Sequence, residues 1–385
     1  MTTRPVYIAG AAETPLGEVH HHNELSMIAL AAAEALAEAG LSIRDVDGLF
    51  VNYMGEEGSV QVGEYLGIQP RYADSTDFGG AAFEAHVHKA IAAINAGFCE
   101  VALITYASRQ RSRRARHREP PAGSMGVPML QQLEVPTGLP APIGRYALYA
   151  ARHMHLFGTT REQMAEVAVA ARMWAMRNPK AWSRKPLSID QVLSSAPICD
   201  PLTRLDCCLV TDGGGAIVVT TAERARDAAK KAVRVIGAAQ SQNHWLVSQM
   251  PDLDREGMPG RRCGPEAFAM AGIRPADVDV FQPYDSFTIS VLIALEDLGF
   301  CKPGEGGAFA QSGALRPGGA LPSMTSGGGL SYNHPGALGL MLLIEAVRQL
   351  RGEAGERQVP DARIGVAHGT GGFLSTASTV VLAHD

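Results

Sequence analysis

An α/β fold made by internal duplication is what this 385-residue sequence predicts, and three observations carry the prediction. Two distant stretches share one pattern. Residues 39–51 read AGLSIRDVDGLFV, and residues 271–280 read AGIRPADVDV, followed by Phe281. Each gives a helix end, a glycine, a loop entering Asp-Val-Asp and an apolar strand. Further along, each half carries a glycine-rich entrance to a helix, DFGGAAFEAHVHKAIAAINAG in the first and SGGGLSYNHPGALGLMLLIEAVRQLRGE in the second. A strand then follows each helix, EVALITYAS and ARIGVAHGT. Shared features in the same order make chance a poor explanation. Each half therefore runs strand, helix, strand, glycine turn, helix, strand.

Taken in order, ELSMIALAAAEALAEAG has helical periodicity with Gly40 as its stop. Residues 109–142 hold six arginines in their first ten positions and six prolines after, which predicts a loop or lid without regular structure. Residues 145–180 read as helical, and Gly215–Thr220 reads as the strand that closes the first half. The expected domains are residues 1–225, with an insertion at about 109–180, and residues 226–385.

Composition narrows the class. Hydrophobic content of 46% with 19% charged residues fits a globular protein, and a net charge of −5 argues against nucleic acid or an anionic membrane as partner. Six cysteines (Cys99, Cys199, Cys207, Cys208, Cys263, Cys301) form no C-x-x-C, so neither a zinc ribbon nor a redox dithiol is indicated. The triplet His20–His22 has no spaced fourth ligand, and no metal site is expected. No apolar run reaches the roughly 18 residues of a membrane span and the N-terminus lacks a signal-peptide core, so a reduced, cytoplasmic protein is expected.

Helix entrances offer free N–H groups that stabilise an oxyanion or a phosphate. Neither a P-loop nor a G-x-G-x-x-G turn occurs, which weakens a nucleotide reading. Tyr332 and His334 sit together at the second entrance, as acid–base groups or as a packed aromatic beside a structural histidine. Tyr284, Asp285 and Ser286 lie where a strand end turns into a helix, a usual place for active-site groups. Asp285 or Ser286 would serve there as a helix cap; Tyr284 has no capping role. His368 is expected at the end of a strand, against a Gly-Thr-Gly-Gly turn.

These blocks, in this order, resemble the thiolase superfamily, and the likeness covers essentially the whole chain. DPLTRLDCCLVTDGGGAIVV resembles the end of the N-terminal half of sterol-carrier-protein-type thiolases. YDSFTISVLIALEDLGF is similar to their His-Asp-Cys-Phe block, GGGLSYNHPGALGL to the Gly-His-Pro block and the turn after His368 to the final Cys-x-Gly-Gly-Gly block. The resemblance implies duplicated βαβαβ halves in a five-layer α-β-α-β-α sandwich, with His334 as the oxyanion-hole histidine. The departures are chemical. Gly79 falls where the nucleophilic cysteine belongs, and His368 where the acid–base cysteine belongs. Without a nucleophile, thiolysis through a thioester is excluded at that position.

A retro-aldol cleavage needs no nucleophile, only a base, an enolate-stabilising hole and a proton donor. Tyr-Asp in the YDSF block and a tyrosine just before His-Pro resemble the lipid-transfer-protein-type aldolases that shorten steroid side chains. That resemblance implies Tyr284 and Tyr332 as an acid–base pair and His334 holding the thioester oxygen. It further implies cleavage of a bulky β-hydroxyacyl-CoA into a ketone and a short acyl-CoA, such as propionyl-CoA or acetyl-CoA. No cofactor is then bound by the chain itself, the substrate arriving as a coenzyme A thioester. A homodimeric core and a small zinc-ribbon/OB-fold partner are implied in the same way. The competing expectations are a non-catalytic acyl-CoA-binding subunit with a thiolase-like shell, and a thiolase or acyltransferase using another cysteine such as Cys207 or Cys208.

Overall fold

The computed structural model describes residues 4–52, 55, 57–116, 128–139 and 142–384. Its strands are β1 (Val6–Glu13), β2 (Gly48–Val51), β3 (Tyr72–Asp74), β4 (Val101–Ser108), β5 (Pro197–Cys199), β6 (Leu202–Thr203), β7 (Gly213–Thr221), β8 (Val233–Gln242), β9 (Val280–Pro283), β10 (Ile364–Gly371) and β11 (Thr376–Ala383). Nine of them form one mixed sheet in the order β3-β2-β4-β7-β1-β8-β11-β10-β9, and β5 and β6 form a separate ribbon.

The duplication is visible in hydrogen bonds as well as in order. The first repeated helix, Glu24–Glu38, is followed by Gly40 at φ +66°, and the second, Gly260–Ala271, by Gly272 at φ +69°. Both glycines take the left-handed conformation that ends a helix. In each Asp-Val-Asp, the first aspartate (Asp45, Asp277) accepts the backbone N–H three residues earlier. The second pins the start of the neighbouring parallel strand: Asp47 accepts Glu100 and Val101 N–H, and Asp279 accepts Arg363 and Ile364 N–H. Hence β2 runs parallel to β4 and β9 parallel to β10. One repeated motif does one repeated job.

The two halves of the sheet meet where β1 pairs antiparallel with β8, and only Val6, Tyr7 and Ile8 take part. Between the halves lie the helices Ala82–Asn95 and Gly339–Arg351, which pack on each other and on strands of both halves. Both are buried nearly all round, as a central layer demands. Glu24–Glu38 covers the outer face of the first half, and Gly260–Ala271 with Thr288–Asp297 that of the second. This is the five-layer sandwich.

Two expectations change. Residues 109–142 are not wholly irregular, since Gln110–Arg116 and Pro128–Leu133 are helical. The carboxylate of Asp212 accepts the N–H groups of Arg111 and Ser112 and so caps the first of these from a distant part of the chain. Of the arginine run, Arg109 donates to Val19 O, Arg111 pairs with Glu18 and covers the Trp182 ring, and Arg113 pairs with Glu24. Positions 117 and 118 lie outside the described residues. The second change is in β10, which runs on through Gly371, so that His368 lies within the strand.

Close packing of helix on sheet rests on Gly10, where a Cβ would stand 1.8 Å from the carbonyl oxygen of Ala35. Gly10→Ala should therefore cost about 1–3 kcal/mol, read as a lower urea midpoint with an unchanged slope.

Candidate active site

The site is built where β9 ends. Asp285 does not cap the helix that follows; Phe287 takes the cap position. Its carboxylate instead reaches the glycine-rich loop, Oδ1 accepting Gly329 N–H at 2.6 Å and Oδ2 accepting Leu330 N–H at 3.0 Å. Burial pushes the Asp285 carboxyl up to about 6, against the pull of those two N–H groups. The loop coils as a single π-helical turn, Gly328–Tyr332, and a Cβ at Gly328 would stand 2.1 Å from Asp285 Oδ2. The regular helix starts only at Gly339, so Tyr332 and His334 precede its first turn instead of forming it.

Tyr284 and His334 are brought together. The Tyr284 hydroxyl lies 3.1 Å from His334 Nε2 and accepts Leu338 N–H at 3.1 Å, with the two rings edge to face. His334 is oriented by Thr211, whose Oγ1 accepts the His334 N–H at 2.8 Å and donates to Asn333 Oδ1 at 2.6 Å. Burial holds His334 down to about 4, so its imidazole is neutral at pH 7. Thr211 was beyond sequence reading, because its partners stand more than a hundred residues away.

The Tyr284 ring packs against Gly80, next to Gly79, where the nucleophile is missing. A Cβ at Gly80 would stand 2.4 Å from Tyr284 Cε2, and one at Gly79 would stand 2.5 Å from Gly372 N. Neither position accepts a side chain without displacing its neighbour. The cysteines offer no substitute among those with shifted acidity: burial pushes Cys99, Cys207, Cys263 and Cys301 up to about 12.

The other two predicted residues point elsewhere. The Tyr332 hydroxyl donates to Glu13 at the end of β1, and the same carboxylate pairs with Arg348 at 2.7 Å and Lys180 at 2.9 Å. Burial and then the Glu13 charge push the Tyr332 phenol well above its ordinary value. Burial would raise Glu13 too, but Arg348 and Lys180 outweigh it and hold the carboxyl down to about 2. His368 bonds Thr379 Oγ1 through Nδ1 at 2.9 Å and lines a small cavity with Asp297 and Ser290. Ala367, next along β10, packs into the central layer, whereas Val366 packs into the outer core. By strand alternation the His368 side chain shares the outer face with Val366, while its carbonyl oxygen accepts the Tyr284 N–H at 2.9 Å.

Sequence reasoning missed Glu84. It lies one turn beyond Gly80 in the central helix, fully buried, and among the described residues neither carboxyl oxygen meets a hydrogen-bond partner. A Cβ at Gly339 or at Gly369 would stand 2.4 or 2.3 Å from its Oε2. Burial pushes its carboxyl up to about 8. The available signal was a single acid in the first turn of a helix, four residues after a glycine pair.

A buried phenol–imidazole pair beside glycine at the position of the expected nucleophile, carried on a duplicated five-layer α/β frame, defines a thiolase-fold protein without a nucleophile at that position. The comparisons agree on the frame. A family model described as thiolase C-terminal domain-like matches residues 239–384. A 17-hydroxy-3-oxo-4-pregnene-20-carboxyl-CoA lyase of Mycobacterium tuberculosis is 38% identical, over 94% of this chain and 96% of its own. An acetyl-CoA acetyltransferase of Methanothermobacter thermautotrophicus is 31% identical, over 99% of this chain and 100% of its own. The solved Ltp2-ChsH2(DUF35) aldolase superposes with a TM-score of 0.89 at 32% identity, over 99% of this chain and 98% of that one. The chain belongs to the thiolase superfamily.

A carboxyl raised in the folded state stays protonated there while the unfolded chain ionises. Stability is therefore lost as pH rises from about 4.5, the ordinary value for glutamate, to about 8. Urea midpoints taken across that window should fall for the native chain, and Glu84→Gln should flatten the fall.

Proposed function

We propose that this protein cleaves a bulky β-hydroxyacyl-CoA of steroid side-chain type by a retro-aldol reaction, giving a ketone and a short acyl-CoA such as propionyl-CoA, with no acyl-enzyme. One observation carries the reading: at Gly79, where a nucleophilic side chain would have to stand, a Cβ would run into the backbone of Gly371 and Gly372, and the ring of Tyr284 lies against the adjacent Gly80. A phenol hydrogen-bonded to a neutral imidazole cannot form a thioester, but it can move a proton at a β-hydroxyl. The names of two relatives, a steroid-carboxyl-CoA lyase and an Ltp2-ChsH2(DUF35) aldolase, favour the same chemistry.

In the proposed cycle Tyr284 handles the hydroxyl proton, and the alkoxide collapses to the ketone while the Cα–Cβ electron pair becomes a thioester enolate. His334 Nε2, beside the Tyr284 hydroxyl, holds the thioester oxygen where negative charge develops. Tyr332 is the second phenol of the acid–base pair, and its tie to Glu13 links that proton to the Arg348–Lys180 cluster. His368 is assigned a supporting place on the outer face of β10, with Thr379. We further propose a homodimeric core, a small zinc-ribbon/OB-fold partner and a cytoplasmic location. For the last, the support is that no helix among the described residues is long and apolar enough to cross a membrane.

The test is incubation of the protein, alone and with a DUF35-type partner, with 17-hydroxy-3-oxo-4-pregnene-20-carboxyl-CoA. A 17-ketone and propionyl-CoA should appear in equal amounts, with no mass added to the protein. Tyr284→Phe and Tyr332→Phe should each lower kcat by roughly 100- to 10,000-fold. A covalent acyl adduct would favour the acyltransferase reading that the Methanothermobacter relative's name suggests, and binding without turnover would favour a non-catalytic subunit.

A further inference from the structure

Asp285 stands between the two members of the Tyr284–His334 pair. It follows Tyr284 in the chain, and its carboxylate holds the N–H groups of Gly329 and Leu330, on the loop that carries His334. Gly329 is the point of closest approach, since a Cβ there would lie 3.2 Å from both Asp285 Oδ1 and His334 Cδ2. The opposite side of the loop is zipped to the first half of the chain. Leu209 N–H donates to Gly329 O at 2.8 Å, and Thr211 N–H to His334 O at 3.2 Å. Asp285 is the side chain that ties the loop back to the strand end bearing Tyr284. Its carboxylate is fully buried and, among the described residues, forms no ion pair, which makes it costly. Asparagine has the same shape but offers a single oxygen, and its NH2 group would face the second N–H. Two converging donors call for two acceptor oxygens, and packing alone gives no reason for that.

We infer that Asp285 is the positioning residue of the acid–base pair: by gripping the Gly329 and Leu330 N–H groups with both carboxylate oxygens, it sets the 3.1 Å separation of the Tyr284 hydroxyl and His334 Nε2. The effect on turnover rests on the retro-aldol reading; the effect on the geometry does not. A misplacement of about 1 Å at such a pair costs on the order of 100-fold in rate. Protonation acts as asparagine does, because an O–H oxygen no longer accepts as a carboxylate oxygen does. The tie therefore weakens as pH falls through about 6, while His334 takes its own proton only near 4. The titratable and charged groups on the elements bonded to this corner are Tyr284, Tyr332 and His334, with Asp206 on Thr288, Cys208 beside Ser286 and Arg172 on Ser331. Burial and backbone N–H groups, with no charged side chain, account for the Asp285 shift.

Two measurements test this role. Nitrogen-15 NMR of the protein labelled at histidine reads the geometry, and cleavage of 17-hydroxy-3-oxo-4-pregnene-20-carboxyl-CoA reads its consequence. His334→Gln assigns the His334 signals by their loss, and Tyr284→Phe supplies the Nε2 shift with the bond absent. In Asp285→Asn the His334 Nε2 shift should move to the Tyr284→Phe value. Its kcat should fall roughly 100-fold, with KM within about threefold of native. Native kcat should also decline as pH is lowered through about 6, and the residual kcat of Asp285→Asn should not. A folded Asp285→Asn that keeps the native Nε2 shift or the native kcat overturns the role and leaves the retro-aldol reading intact. A native protein that does not cleave the substrate overturns that reading, and the Nε2 shift still decides the role of Asp285. Should Asp285→Asn not fold, the native chain decides. Its His334 Nε2 signal should shift as pH is lowered through about 6, and a signal that stays in place until about 4 overturns the role.

Discussion

The close approach of Gly80 to the Tyr284 ring is the contact on which the centre of this molecule depends. It brings the start of the first central helix against the end of β9, closing the seam between the two halves. Any side chain at Gly80 would push the ring away and break its hydrogen bonds to His334 and Leu338 together. The neighbouring Gly79, pressed against Gly371 and Gly372, removes the option of a nucleophile. Architecture and chemistry are decided by two adjacent missing Cβ atoms.

Around that contact the site divides into a neutral centre and an ionic edge. Burial keeps His334 uncharged and pushes the Glu84 carboxyl up to about 8, so both are neutral at pH 7, while Asp285, pushed only to about 6, is held by the N–H groups of Gly329 and Leu330. At the edge, Glu13 stays ionised because Arg348 and Lys180 repay its desolvation, and the Tyr332 hydroxyl is tied to it. A carbon–carbon bond cleaved without a covalent intermediate asks for such a centre, since a transient enolate and alkoxide must be the strongest charges present. The partnered charges of Glu13 and Arg348 hold the walls.

The duplication was legible because its signals are local. A glycine that ends a helix and an aspartate that accepts an N–H three residues back act within a few residues, so Ala-Gly and Asp-Val-Asp carry their meaning in the sequence. Tyr284 and His334 were legible for a related reason, each lying at a strand end or a glycine turn where polar groups are presented. The helix at Gln110–Arg116 was not, because its cap, Asp212, is supplied from a hundred residues away.

What the sequence determined by itself is the repeated α/β frame, the glycines at 79 and 80 and the residue types available for proton transfer. Which of those residues meet was decided only in three dimensions. Alternation along β10 turned His368 to the outer face and Gly369 to the inner one, and the π-turn aimed Tyr332 at Glu13. Packing of the two central helices left Glu84 without a hydrogen-bond partner among the described residues. Local patterns specify backbone form because the forces behind them act over a few residues. The direction a side chain faces, and the cost of burying it, depend on elements that meet only after folding.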